Sequence, residues 1–197
     1  MTYEGKNFDG LLGMEGFSDT LLKNHFTLYQ GYVANTNKVA GLLMAMAKEG
    51  KTTVPEYAEL KRRFGWEFNG MRLHELYFGN MAKGSAKPDV APKLSEMLVA
   101  EFGSLENWEM DFRATGAMRG IGWVILYYDL AGKRLFNMWI NEHDVGHPSS
   151  CAPLLVMDVF EHAYMTDYGL KRAEYINAFF KNLNWKEAEA RIARVSV

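Results

Sequence analysis

Between residues 17 and 50, apolar side chains recur at the three- and four-residue spacing of a helix. Leu21, Leu22, His25, Leu28, Tyr29, Tyr32 and Val33 share one broad face, which continues through Val39, Leu42, Leu43 and Met46. Ser18 or Asp19 stands as N-cap and Gly50 as stop. A second helix is expected after Thr52-Thr53, and a third over residues 67–80 with His74 near its middle. Residues 83–92, rich in Gly, Ser and Pro, read as a linker. Helices over 93–102 and 105–117 follow, split by Phe102-Gly103-Ser104. From Gly122 the period changes. Residues 123–128 and 134–140 read as strands joined by a tight turn over 129–133, and 153–159 as a third strand. Residues 167–183 and 184–194 return to helix. Helices, a short antiparallel meander and helices again predict an α+β protein. Its parts are an N-terminal antiparallel helical hairpin over residues 1–87 and a domain over 88–197, in which helices flank a three-stranded antiparallel sheet.

Composition narrows the class. Hydrophobic residues make up 48% of the 197 positions and charged residues 23%, the balance of a globular protein. The 5 Trp, 10 Tyr and 12 Phe suit a packed core with an aromatic-walled pocket. A net charge of -2 offers no basic field for nucleic acid, and Lys61-Arg62-Arg63 reads as a solvated helix face. Cys151 is the one cysteine, which excludes an intrachain disulfide and fits a reducing compartment. With no leader-like stretch and no apolar run of membrane length, the expected location is the cytoplasm and no membrane partner is expected.

The chemistry concentrates in few residues. Asp158-Val-Phe-Glu-His162-Ala-Tyr164 places a carboxylate and an imidazole four positions apart, where the third strand should turn into a helix. His25 and His74 lie on the faces of the two hairpin helices. One histidine on an apolar face is ordinarily a hydrogen-bonded interior residue, and Asp158 alone would serve as a helix cap. Together, three imidazoles and one carboxylate form a donor set for Zn, Fe, Mn or Co that leaves room for a solvent molecule. Closed structural zinc sites favour thiolates, paired-iron bundles need two Glu-x-x-His strings, and zinc proteases need His-Glu-x-x-His. None of these fits, and redox chemistry at one Fe or Mn is expected. A non-redox metallohydrolase would need a general base beside the ligands, and none is evident.

The string Asp158–Tyr164, with the chain order His, His, Asp-x-x-x-His, resembles the signature of the iron/manganese superoxide dismutases, and the likeness spans nearly the whole chain, weakest before residue 17. The resemblance implies superoxide dismutase activity, with superoxide as substrate and one Fe or Mn per subunit held by His25, His74, Asp158 and His162. Tyr32 would be the active-site tyrosine, Trp123 would wall the pocket, and Tyr77 with Phe78 would be the aromatic pair after the second ligand. Glu161 would bridge a dimer interface to the last ligand of a partner subunit, which implies a homodimer or homotetramer. Arg172 would draw in the anion.

The outer-sphere Gln of the family has two usual positions. The first is Gly70 here, and the second is His143 in Glu142-His143-Asp144. His143 is therefore the expected partner of solvent at the metal, linked to Tyr32, with His147 as runner-up and iron favoured over manganese. The chain departs from the family elsewhere. It is one residue shorter between His25 and Tyr32, so a helix bulge should be missing. Leu28-Tyr29 replaces the usual His-His, and Phe160 and Met165 stand where Trp and Tyr are usual, with Tyr29 expected to fill the vacated space.

Overall fold

Ser18 opens the longest helix by accepting a hydrogen bond from the Leu21 amide at 3.0 Å, and α1 then runs from Asp19–Lys48. It is α-helical throughout, so the bulge expected to be absent is absent. Gly50, at φ 71°, turns the chain away, a conformation that a Cβ would oppose. The computed structural model describes residues 2–84 and 87–196. Helix α2 spans Pro55–Gly79, with Pro55 in its first turn, where a missing N–H costs nothing. The two helices expected in this stretch are one. Gly65, the only residue between them that weakens a helix interior, costs about 1 kcal/mol, less than the apolar stripe gains by packing on α1. Contacts of His25 with His74 and of Tyr32 with Gly70 run in opposite chain directions, so α1 and α2 form the antiparallel hairpin.

Residues 85 and 86 of the expected linker lie outside the described residues. Beyond them come α3 (Pro92–Phe102) and α4 (Leu105–Gly116), with Ser104 capping α4 through the Asn107 amide. Strands β1 (Gly122–Asp129), β2 (Leu135–Asn141) and β3 (Cys151–Asp158) form one antiparallel sheet. Its order is β2-β1-β3, so it is not a meander: the loop after β2 carries the chain across to the other edge of β1. Central β1 is buried along almost its whole length, which explains its unbroken apolar run. Trp123 pairs with Asp158, which fixes the end of β3 beside the start of β1. Gly122 is required there, because a Cβ would sit 2.1 Å from the Ile140 carbonyl oxygen.

The helix expected over residues 167–183 is interrupted. Short α5 (Met165–Tyr168) ends at Gly169, φ 54°, and α6 (Arg172–Lys181) starts afresh. Helix α7 (Trp185–Val195) is capped by Asn184, whose side chain accepts from the Glu187 amide. Buried Asn80, just past α2, joins the halves. Its Oδ1 accepts from the Val156 amide at 2.8 Å and from Arg191 at 3.0 Å. Arg191 also donates to the carbonyls of Leu154 and Leu76, so α2, β3 and α7 are tied at one point. The hairpin is thereby held against the end of the sheet where Asp158 emerges. Among the described residues, no helix is long and apolar enough to cross a membrane.

Candidate metal centre

His25 and His74 face one another across the hairpin with ring centroids 4.9 Å apart. Asp158 is the last residue of β3, and His162 lies in the 3-10 turn Glu161–Ala163 that follows. Asp158 combines two roles. Its Oδ1 accepts from the Phe160 amide at 2.8 Å and so caps the turn, while Oδ2 faces the imidazoles. The Nε2 atoms of His162, His25 and His74 lie 3.1, 3.2 and 3.6 Å from that oxygen. The four donor atoms all fall within 4.8 Å of one another. Two donors that each bind an ion at about 2.1 Å lie no more than about 4.2 Å apart, which the carboxylate–imidazole spacings satisfy.

The polar atoms here are left open in the way a metal requires. Both ring nitrogens of His25 and Nε2 of His74 are buried without a hydrogen-bond partner. His74 Nδ1 lies 2.5 Å from the Gly70 carbonyl, which can only accept, so Nδ1 carries the proton and Nε2 presents a lone pair. Burial is the main cause that lowers the pKa of His25 and lowers that of His74 further, so both rings are neutral at pH 7. Burial alone would raise the Asp158 carboxyl. The charge and hydrogen bond of His162, with the His25 ring close beside it, outweigh it and hold the group below the usual carboxylate range. Neutral imidazoles and an ionised carboxylate are the ligand forms of a first-row divalent or trivalent ion. The residues therefore fit the group.

Beside this cluster lies a second, fully connected one. The Trp123 indole N–H donates to His143 Nδ1 at 3.1 Å. The proton of neutral His143 is then on Nε2, and it is donated to the Tyr32 hydroxyl at 2.7 Å. Burial first of all depresses His143 to about 4, which keeps the ring neutral. Tyr32 is pushed up to about 12, again mainly by burial and then by the Asp158 charge. The ring of Tyr32 stacks on His74 and fills the space that a side chain at residue 70 would need. A Cβ on Gly70 would lie 2.5 Å from Tyr32 Cδ1. Gly70 thus makes room for the Tyr32 ring, whose hydroxyl reaches His143.

The remaining expectations fare differently. His147 is turned away: its Nε2 donates to the His143 carbonyl at 2.8 Å and its Nδ1 meets the Tyr127 hydroxyl. Buried Trp123 packs edge-on against His74. Tyr77 lies against His25, and its hydroxyl donates to Tyr175, which in turn donates to the Asp158 carbonyl at 2.6 Å. Phe160 is sandwiched between His143 and His162, while Met165 is exposed. Tyr29 is fully buried, with its hydroxyl held by Glu75 and the Lys6 amide. Glu161 is exposed. Arg172 donates to the carbonyls of Met118 and Gly120 and to the Tyr164 hydroxyl. Sequence reasoning missed Tyr175 and Trp66, whose ring packs on His143 at 4.6 Å. Nothing distinguishes either from an ordinary core aromatic until the partners are known.

The match to known proteins agrees with this geometry. Residues 90–191 match the C-terminal domain of the iron/manganese superoxide dismutases. The chain is 36% identical to "Superoxide dismutase [Fe]" of Aquifex aeolicus, over 92% of this chain and 86% of that protein. It is 34% identical to "Superoxide dismutase [Fe]" of Cupriavidus metallidurans, over 91% and 90%. It is also 34% identical to "Superoxide dismutase [Mn] 2" of Haloferax volcanii, over 85% and 82%. The chain belongs to the iron/manganese superoxide dismutase family.

Proposed function

We propose that this protein disproportionates superoxide at a single Fe or Mn ion held by His25, His74, Asp158 and His162. One observation carries the reading: four donors from three distant segments converge, with buried imidazole nitrogens that have no other partner. When bound, the ion supplies reversible one-electron exchange, by which one superoxide becomes dioxygen and a second, taking up two protons, becomes hydrogen peroxide.

The residues do the rest. Asp158 contributes a negative charge that favours the oxidised ion. His143, proton on Nε2, orients the Tyr32 oxygen, and this leaves the Tyr32 O–H free to donate into the cavity. No other protein group takes that proton among the described residues. Tyr32 is thus the group that hands a proton to reduced substrate and is refilled from solvent, while neutral His143 keeps its single proton and holds the Tyr32 oxygen in place. Trp123 fixes the His143 tautomer, and Tyr77 steadies the backbone of Asp158 through Tyr175. Arg172, its donors committed to carbonyls, acts through its field on the anion.

In this reading the ion docks the hairpin of residues 1–87 onto the unit of 88–197, and exposed Glu161 meets a second copy in a dimer or tetramer. The working compartment is the cytoplasm, and iron is favoured over manganese. Reconstitution of the metal-free protein with each ion separately, assayed for superoxide removal, tests the proposal. Activity with one ion or both, absent in His74→Ala, is expected. A folded wild-type protein that retains neither ion would make the chain a binding scaffold instead.

A further inference from the structure

On the far side of α2 from the metal donors lies a cleft of about 710 Å³, bounded by the N-terminal segment, α2, β3 and α7. This is the size of a site for one organic molecule. Its apolar surface comes from Phe8, Leu11, Leu76, Phe78 and Pro153. Its charged groups fall into two clusters of the same make-up. On the α2 wall, Lys6 and Arg72 share the Glu75 carboxylate at 3.1 and 2.8 Å. On the α7 wall, Arg191 and Arg194 share Glu187 at 3.1 and 3.9 Å. Each cluster is therefore left with one unbalanced positive charge, in a chain whose net charge is -2.

The cations differ in what they have to spare. Arg191 is 8% exposed and its donors are committed to Glu187, Asn80 and two carbonyls. Lys6 and Arg194 are 60% and 66% exposed, and each meets a single carboxylate oxygen. Both line the cleft together with its apolar residues. Apolar walls between two cationic rims select an apolar body that carries a negative group. Phe78 forms part of this floor and on its other side lies 4.9 Å from the His25 ring, so the cleft and the metal cluster share one side chain.

We propose that this cleft binds a small amphipathic organic anion, an apolar body bearing a carboxylate or phosphate that is held by Lys6 and Arg194. The site is separate from the superoxide site, and its test does not depend on turnover. The probe is anilinonaphthalene sulfonate, titrated by fluorescence against the metal-loaded protein, with phenyl-naphthylamine as the same ring system without charge. One sulfonate probe per chain is expected, weakened by salt and weakened about tenfold or more in Lys6→Glu/Arg194→Glu. Decanoate or decyl phosphate should displace it, and the two competitors distinguish a carboxylate from a phosphate ligand. The milder pair Lys6→Met and Arg194→Gln guards against a folding defect and should weaken binding in the same direction. Binding that the variants leave unchanged, no binding, or no displacement by either competitor would overturn the proposal.

Discussion

Two polar clusters meet at His74 and are built on opposite rules. Around Asp158, both ring nitrogens of His25 and Nε2 of His74 are buried with no hydrogen-bond partner. Around His143, a few ångströms away, both ring nitrogens are engaged, one by Trp123 and one by Tyr32. Burying an unpaired polar atom costs about 1–3 kcal/mol, so the first cluster is a standing cost to the fold that the proposed ion would remove. The second cluster is complete without a ligand and holds its protons in fixed places. In the proposed function, the open donors take the metal and the closed chain of donors and acceptors keeps the protons.

That contrast can be broken from the metal side first. His74→Ala should abolish metal retention and reduce superoxide removal to background, as elemental analysis and assay of the purified variant would show. Replacing the proton-holding group should act differently. His143→Ala should keep the ion while turnover falls about 10–100-fold. Unchanged turnover would move the role to the ring of His147, although that ring's nitrogens are already engaged.

The pH dependence of the metal-free protein sharpens the same distinction. His143 has a folded pKa of about 4 against 6.5 for the free side chain. The unfolded chain therefore takes up the proton first, and folding stability from this group is fully present above 6.5 and lost as pH falls through 4. The loss is on the order of 3 kcal/mol. His25 and His74 are shifted in the same direction and add to it. Chemical denaturation of the metal-free protein at stepped pH should show this slope, and His143→Gln should flatten it. Trp123→Phe should have the smallest effect on the site, because it removes the N–H that fixes the His143 tautomer and part of a buried ring but no proposed ligand. A stability loss of about 1–3 kcal/mol, with metal content unchanged, is expected by thermal melting.

Much of this was legible in the chain. The period of α1, its Ser18 cap and its Gly50 stop are local properties, and the structure keeps them. The three strands lie within two residues of where they are expected, and the string from Asp158 to Tyr164 is equally local. What could not be read is mostly long-range. Nothing in β1, β2 and β3 themselves says that β3 pairs with β1 and not with β2. The break at Gly169 is invisible because an isolated glycine reads as a mild helix weakener until its positive φ is known. At Gly65 the same residue type leaves α2 unbroken. Tyr29 has the right spacing from His25 to face the cavity, but its hydroxyl is drawn away by Glu75 and by the N-terminal segment, the part of the chain that resembled the family least. Arg172 looks like a free surface charge in sequence, and its carbonyl partners come from a turn more than fifty residues earlier.

The most direct test is anomalous X-ray scattering from crystals of the purified, active protein, recorded at the iron and manganese edges. The account predicts one peak per chain, within bonding reach of His25 Nε2, His74 Nε2, Asp158 Oδ2 and His162 Nε2. Active protein with no such peak, or with its ion bound elsewhere, would contradict it.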